Sequence, residues 1–247
     1  MGFAQHRSGD LPEALLPLLH GVFRDYEATV GGEAAGGFVD AGANIGDVSA
    51  AVLALLTLQL RAQYEHFLGE NALPGKPALV DTEHSGGSTK GVLPFALLLE
   101  PSPLTRRLLQ RRAEAGQWHQ RGVHARVLPY AASNASGTAS FCYLRAGSEN
   151  SGLSSGAEGV LKGQAEKVCE SIETVPLGAL VDKEVGPSAR VFLLKVDVEG
   201  AEALVLRGAE QLFRAKRVSF VVFENHAKWV RCALLRVRAC RKRKQAL

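Results

Sequence analysis

The segment FVDAGANIGDVSA, Phe38 to Ala50, constrains the fold more than any other part of this chain. An apolar pair runs into an acid, two glycines enclose a short loop, and Asp47 or Ser49 stands where a helix N-cap is wanted. That order reads as strand, tight loop, helix. Glycine at 42 and 46 permits positive φ and lets the backbone approach a ligand with no Cβ in the way. A doubly wound α/β sheet builds its nucleotide pocket in this manner, at the carboxyl ends of its strands. An ordinary strand–turn–helix connection uses the same glycines, so the rest of the chain has to decide.

The loop does not suit a dinucleotide. A pyrophosphate site wants G-x-G-x-x-G, with the middle glycine packed against phosphate, and Asn44 stands where that close approach is expected. Asp40 at the strand end also repels an anion. An acid there suits a ligand with positive charge, such as the amino group or sulfonium of S-adenosylmethionine. A nicotinamide-dependent oxidoreductase is disfavoured on the same ground.

Three further segments follow in order: LLLEPSP (Leu97–Pro103), LLKVDVEGAEALVLRGA (Leu193–Ala209) and VVFEN (Val221–Asn225). Together with VDAGANIGDVS they resemble the FkbM-type S-adenosylmethionine-dependent methyltransferases, over roughly residues 38–225. The string Lys195 to Glu202, K-x-D-x-E-G-x-E, is the most distinctive. The resemblance implies a Rossmann-like, mostly parallel α/β sheet with helices on both faces, of the class I methyltransferase type. It matches Glu100 to the acid that binds the cofactor ribose. It also implies an antiparallel strand pair after Asn225. The sequence HAKWVRCALLRVRACRKRKQAL reads instead as a short basic helix, so that strand pair is expected to be missing, with Val230, Leu234, Leu235 and Val237 as a helical cap on the open edge.

Hydrophobic patterning agrees with alternating strands and helices. Strands are expected at Phe38–Val39, Phe95–Leu99, Arg126–Ala131, Val191–Val196 and Val218–Phe223, with an extra strand at Thr138–Leu144. Helices are expected at Leu11–Tyr26, Val48–Leu68, Ser102 to about Ala115, and Ala201–Ala215. The Gly- and Ser-rich stretch 146–163 reads as a mobile surface loop. The domain scheme is a lead-in helix over 1–37, a methyltransferase-like domain over 38–229 with an insertion at 58–93, and a basic tail over 230–247.

Strand ends then nominate the site. On the cofactor side stand Asp40, Gly42, Ala43, Asn44, Gly46 and Glu100, with Ser133 near the adenine. A carboxylate at Glu100 can accept from both vicinal ribose hydroxyls. On the acceptor side stand Asp197, Glu199 and Glu224 as catalytic candidates, because methyl transfer to a hydroxyl needs a base for its proton. Glu202 reads as a solvated helix residue. Asp197, Glu224 and Asn225 would also serve a hard cation such as Mg²⁺, an alternative that stays open; no metal is assigned. The expected activity is O-methylation of a hydroxyl on a small molecule or sugar, with S-adenosylmethionine as cofactor. The rival is a non-catalytic S-adenosylmethionine-binding module.

Composition excludes rather than selects. Of 247 residues, 46% are hydrophobic and 22% charged, ordinary values for a globular chain. The net charge of +4 comes from the tail: Arg236, Arg238, Arg241, Lys242, Arg243 and Lys244 outweigh a slightly acidic body. No nucleic-acid partner is therefore expected. No apolar run reaches the roughly 18 residues of a membrane span, and a cytoplasmic protein is the expectation. Cys142, Cys169, Cys232 and Cys240 show no C-x-x-C pair and read as reduced thiols.

Overall fold

Short apolar runs of β-branched and leucine residues form the centre of one sheet: β1 (Gly37–Ala41), β2 (Phe95–Leu99), β8 (Val191–Val196) and β9 (Val218–Phe223). Every residue of β1, β2 and β8 is buried, as expected for parallel strands covered on both faces. The computed structural model describes residues 36–57, 94–144, 152–153, 167–223 and 233–236. The remaining elements are α1 (47–57), α2 (Pro103–Gly116), β3 (His124–Leu128), β4 (Ala131–Ser133), β5 (Gly137–Leu144), β6 (Gly152–Leu153), β7 (Lys167–Pro176), α3 (Leu177–Val185), α4 (Glu202–Gly208), α5 (Glu210–Arg214) and β10 (Ala233–Arg236).

The main sheet runs β10-β9-β8-β1-β2-β3. All neighbours pair in parallel except β10, which is antiparallel to β9. The chain progresses outward from β1 to β2 and β3 on one side, and β8 lies on the other. The β1/β8 boundary is therefore the point where strand order reverses, the place where open α/β sheets open a crevice. Side chains alternate between two cores. Phe38, Ala96 and Leu98 pack with Val52, Leu53 and Leu56 of α1 and Leu109 of α2. Val39, Leu97, Leu99 and Val196 pack with Leu177, Leu180 and Val181 of α3, Val205 of α4 and Leu212 of α5. A wholly buried leucine such as Leu53 contributes about 1.5–3 kcal/mol. The fold is thus the mostly parallel, Rossmann-like α/β sheet that the sequence led us to expect.

A second sheet runs β4-β7-β5-β6, and its Ala131, Ala132 and Phe141 share a pocket with Gly42, Glu100 and Asp197, which follow β1, β2 and β8. Patterning did not anticipate β7 or α3, because β7 (KVCESIETVP) is half exposed and rich in polar residues. Pro129 cannot donate to a ladder, and the single strand expected at 126–131 is split around it into β3 and β4. The helix expected over 201–215 breaks at Ala209 into α4 and α5. The stretch 146–163, expected as loop, contributes β6.

Two expectations are corrected. Residues 233–236, read as helix, form β10 in register with Phe220–Phe223. The short run ALLR shows no strand alternation, and the arginines at 231, 236 and 238 resemble a basic helical face. The outer edge of β9 is consequently paired. Second, Cys142 and Cys169 are not reduced thiols but a disulfide. They lie 27 residues apart in the chain yet directly opposite each other in the β5–β7 ladder, an adjacency that spacing alone conceals. The expected helices at 11–26 and over 58–68, the insertion 58–93, Glu224, Asn225, Cys232 and Cys240 lie outside the described residues. Among the described residues no helix is long and apolar enough to cross a membrane.

Candidate active site

The loop after β1 is shaped from within. Gly42 takes φ +84° and Gly46 φ +86°, and Asn44 also sits in the left-handed region at φ 51°. The N–H groups of Gly42 and Ala43 both donate to the Leu99 carbonyl, at 3.1 and 2.9 Å, and that of Gly46 donates to the Ala43 carbonyl at 2.9 Å. These amides are spent inside the fold rather than offered as an anion cradle, which argues physically against a pyrophosphate. Helix α2 clamps the loop from the other side. Arg112 pairs with Asp47 and donates to the Ile45 carbonyl, and Leu109 Cδ1 lies where a Cβ at Gly46 would stand.

Glu100 follows β2 and is 6% exposed. One carboxylate oxygen accepts the Asn44 N–H at 2.9 Å and the other accepts the Ser102 N–H at 2.8 Å. Burial pushes its pKa up from 4.5 to about 7, against the lowering effect of those two backbone bonds. Ser102 caps α2 through Thr105, and Arg106 donates to the Glu100 and Pro101 carbonyls. The acid is therefore held by the loop, by the helix start and by its own carbonyl.

Asp40 is wholly buried beneath the loop. Its oxygens accept from the Ser49 hydroxyl at 2.6 Å and from Lys195 Nζ at 3.0 Å. The positive charge that Asp40 was expected to find in a ligand is supplied by Lys195. The same ammonium donates to the Gly42 carbonyl at 3.0 Å and lies 3.3 Å from Asp197 Oδ2. Burial pulls the Lys195 pKa down, but Asp40 and Asp197 outweigh it and the net movement is upward, so the ammonium stays charged.

Asp197 follows β8, and its N–H donates to the Ala41 carbonyl at 3.0 Å. The turn after it places Glu199 at φ 53° and Gly200 at φ 97°. Non-glycine residues in that region are uncommon and collect at functional sites. Glu202, expected to be solvated, holds this turn: one of its oxygens accepts the Val198 N–H at 3.2 Å and the Gly200 N–H at 3.0 Å.

A crevice open to solvent joins these parts. Gly42, Asn44, Glu100, Tyr130, Phe141, Asp197 and Glu199 line it. Among the residues expected from sequence, Gly42, Asn44, Glu100, Asp197 and Glu199 meet here. Asp40 and Ala43 lie beneath the loop, Gly46 packs on α2, and Ser133 is buried where β4 meets α4 rather than in the lining. Lys195 was passed over as a bare motif letter; a lone lysine inside an apolar strand was the signal available. Tyr130 and Phe141 fall within the strands expected at 126–131 and 138–144, but the pairing that brings them to the pocket was not legible. Among the described residues no cluster of three His, Cys, Asp or Glu side chains could hold a metal ion.

The model of the methyltransferase FkbM domain matches residues 40–233 of the chain. A crystal structure of methyltransferase FkbM from Methylobacillus flagellatus KT is similar at 16% identity and a TM-score of 0.36, over 76% of this chain and 32% of that one. This chain thus spans about a third of that structure's length. No curated protein matches.

Proposed function

Because this chain belongs to the FkbM methyltransferase family, we propose that it is an S-adenosylmethionine-dependent methyltransferase that transfers to a hydroxyl of a small molecule or sugar. The observation that carries the reading is Glu100, a buried carboxylate that lines the pocket beside Asn44 and opposite Asp197. Each Glu100 oxygen accepts one backbone N–H and keeps a second lone pair, so the residue suits a pair of vicinal hydroxyls. The engaged loop amides also suit a nucleoside without a pyrophosphate. When bound, the donor supplies an electrophilic methyl group on a sulfonium.

The chain's own residues would do the rest. Gly42, Asn44 and Glu100 would bind and orient the nucleoside, with Asp40, Ala43 and Gly46 supporting the loop and Ser133 at the end of β4. Asp197, held by Lys195 at the lip, would take the acceptor's proton. Glu199 lines the same side, and Glu224, just beyond β9, is a third candidate. The rival reading, a binding module without turnover, drew on a missing strand pair beyond β9; β10 supplies one strand there. A calorimetric titration tests the proposal. Heat is expected with S-adenosylmethionine and S-adenosylhomocysteine and none with NAD; the reverse pattern would overturn it.

A further inference from the structure

The disulfide joins β5 to β7, and β5 supplies one wall residue of the pocket. Phe141, which lines the pocket, immediately precedes Cys142 on β5. Successive strand residues face opposite sides. Phe141, Tyr143 and Ile172 therefore pack inward with Ala131 and Ala201, and Cys142 and Cys169 face the other way. Cys142 is 1% exposed, whereas Cys169 is exposed. Lys167, two positions from Cys169 on the same face of β7, provides a cation next to any thiolate that forms.

We propose that Cys142–Cys169 is a thiol–disulfide exchange site for a dithiol reductant, and that its opening alters the Phe141 wall of the pocket. The reductant thiolate attacks the accessible Cys169 Sγ, the bond between the two protein sulfurs breaks, and Cys142 leaves as a thiolate that takes up a proton. The reductant's second thiol then displaces Cys169, so two protein thiols form while the dithiol is oxidised to its disulfide. Seven registered residue pairs besides Cys142–Cys169 hold β5 on β7, so opening is local. Two unbonded sulfurs need more room than a bonded pair. Where β5 and β7 part to make that room, they part beside Phe141, whose ring packs with Ala131 and Ala201.

The ligand half of this inference rests on the methyl-donor reading above. The test compares air-oxidised full-length protein with protein held in dithiothreitol, both native. Iodoacetamide is expected to label neither cysteine in the first and to label Cys169 ahead of Cys142 in the second, with the far-UV circular dichroism unchanged. Hydrogen exchange over residues 137–144 should speed up in the reduced form. S-adenosylhomocysteine should bind about fivefold or more weakly after reduction. Cys142→Ser/Cys169→Ser should match the reduced form and ignore the reductant. A bond that opens only on unfolding, or equal affinity in the two states, would overturn the proposal. Binding of NAD in place of S-adenosylhomocysteine would instead remove the donor reading, and labelling with hydrogen exchange would decide the exchange site alone.

Discussion

Glu100 carries a charge that the fold makes costly, and this has a measurable sign. Its folded pKa of about 7 lies above the ordinary 4.5. Its contribution to stability is therefore fully present below pH 4.5 and is lost as pH rises through 7. The total is on the order of 3 kcal/mol. Urea titrations at pH 4.5, 6 and 7.5 should show the advantage of wild type over Glu100→Gln shrinking across that window; a constant difference would mean that Glu100 is ionised throughout. Two glycines give a matched comparison. Gly42 and Gly200 both take positive φ, but a Cβ at Gly42 would lie 1.8 Å from the Asp197 carbonyl oxygen, while nothing lies within 4 Å at Gly200. Gly42→Ala should cost about 2–4 kcal/mol and Gly200→Ala about 1 kcal/mol, read as a difference in chemical denaturation midpoints. Asp197→Asn keeps the shape and one acceptor oxygen but takes no proton at neutral pH. It should retain donor affinity and lose turnover on any acceptor found by screening hydroxylated metabolites with radiolabelled donor; equal turnover would reject the base assignment.

At the scale of elements, what could be read from sequence depended on how burial writes itself into composition. β1, β2, β8 and β9 were legible because strands covered on both faces need continuous apolar runs. The Glu100 and Asp197 positions followed, since each stands one residue past such a run. The β4–β7–β5–β6 sheet was opaque except for β5, because half-exposed strands such as Lys167–Pro176 mix charge with apolar residues. With β7 unseen, Cys142 and Cys169 had no visible reason to meet. β10 reads as helix in the sequence because arginines lie in and around it, at 231, 236 and 238. Its pairing with β9 now makes a prediction. Removal of residues 230–247 would bare the outer edge of β9, whose residues Val218–Val222 are buried. Exposed strand edges template association, so the truncated protein should melt lower and sediment as concentration-dependent oligomers, whereas the full chain should not gain mass with concentration by that route.

For the molecule as a whole, ligand, proton and stability are linked through one pocket. Hydroxyl donors favour the ionised form of Glu100, so binding of the donor near pH 7 should release protons and tighten as pH rises from 6 to 8. Calorimetry in buffers of different ionisation heat should give observed enthalpies that differ with the buffer; identical enthalpies would exclude the linkage. At a hundred times its dissociation constant the ligand should add about 2.7 kcal/mol of stability. The joint between β1 and β8 has a consequence of another kind. The Asp197 N–H donates to Ala41, the Asp197 carbonyl leaves room only for hydrogen at Gly42, and Lys195 grips Asp40, Gly42 and Asp197 at once. A chimaera that imports loop 40–47 from another enzyme without residues 195–200 would receive half of a fitted pair. Recombination between homologues should therefore succeed when both segments are inherited together and fail when the crossover falls between them.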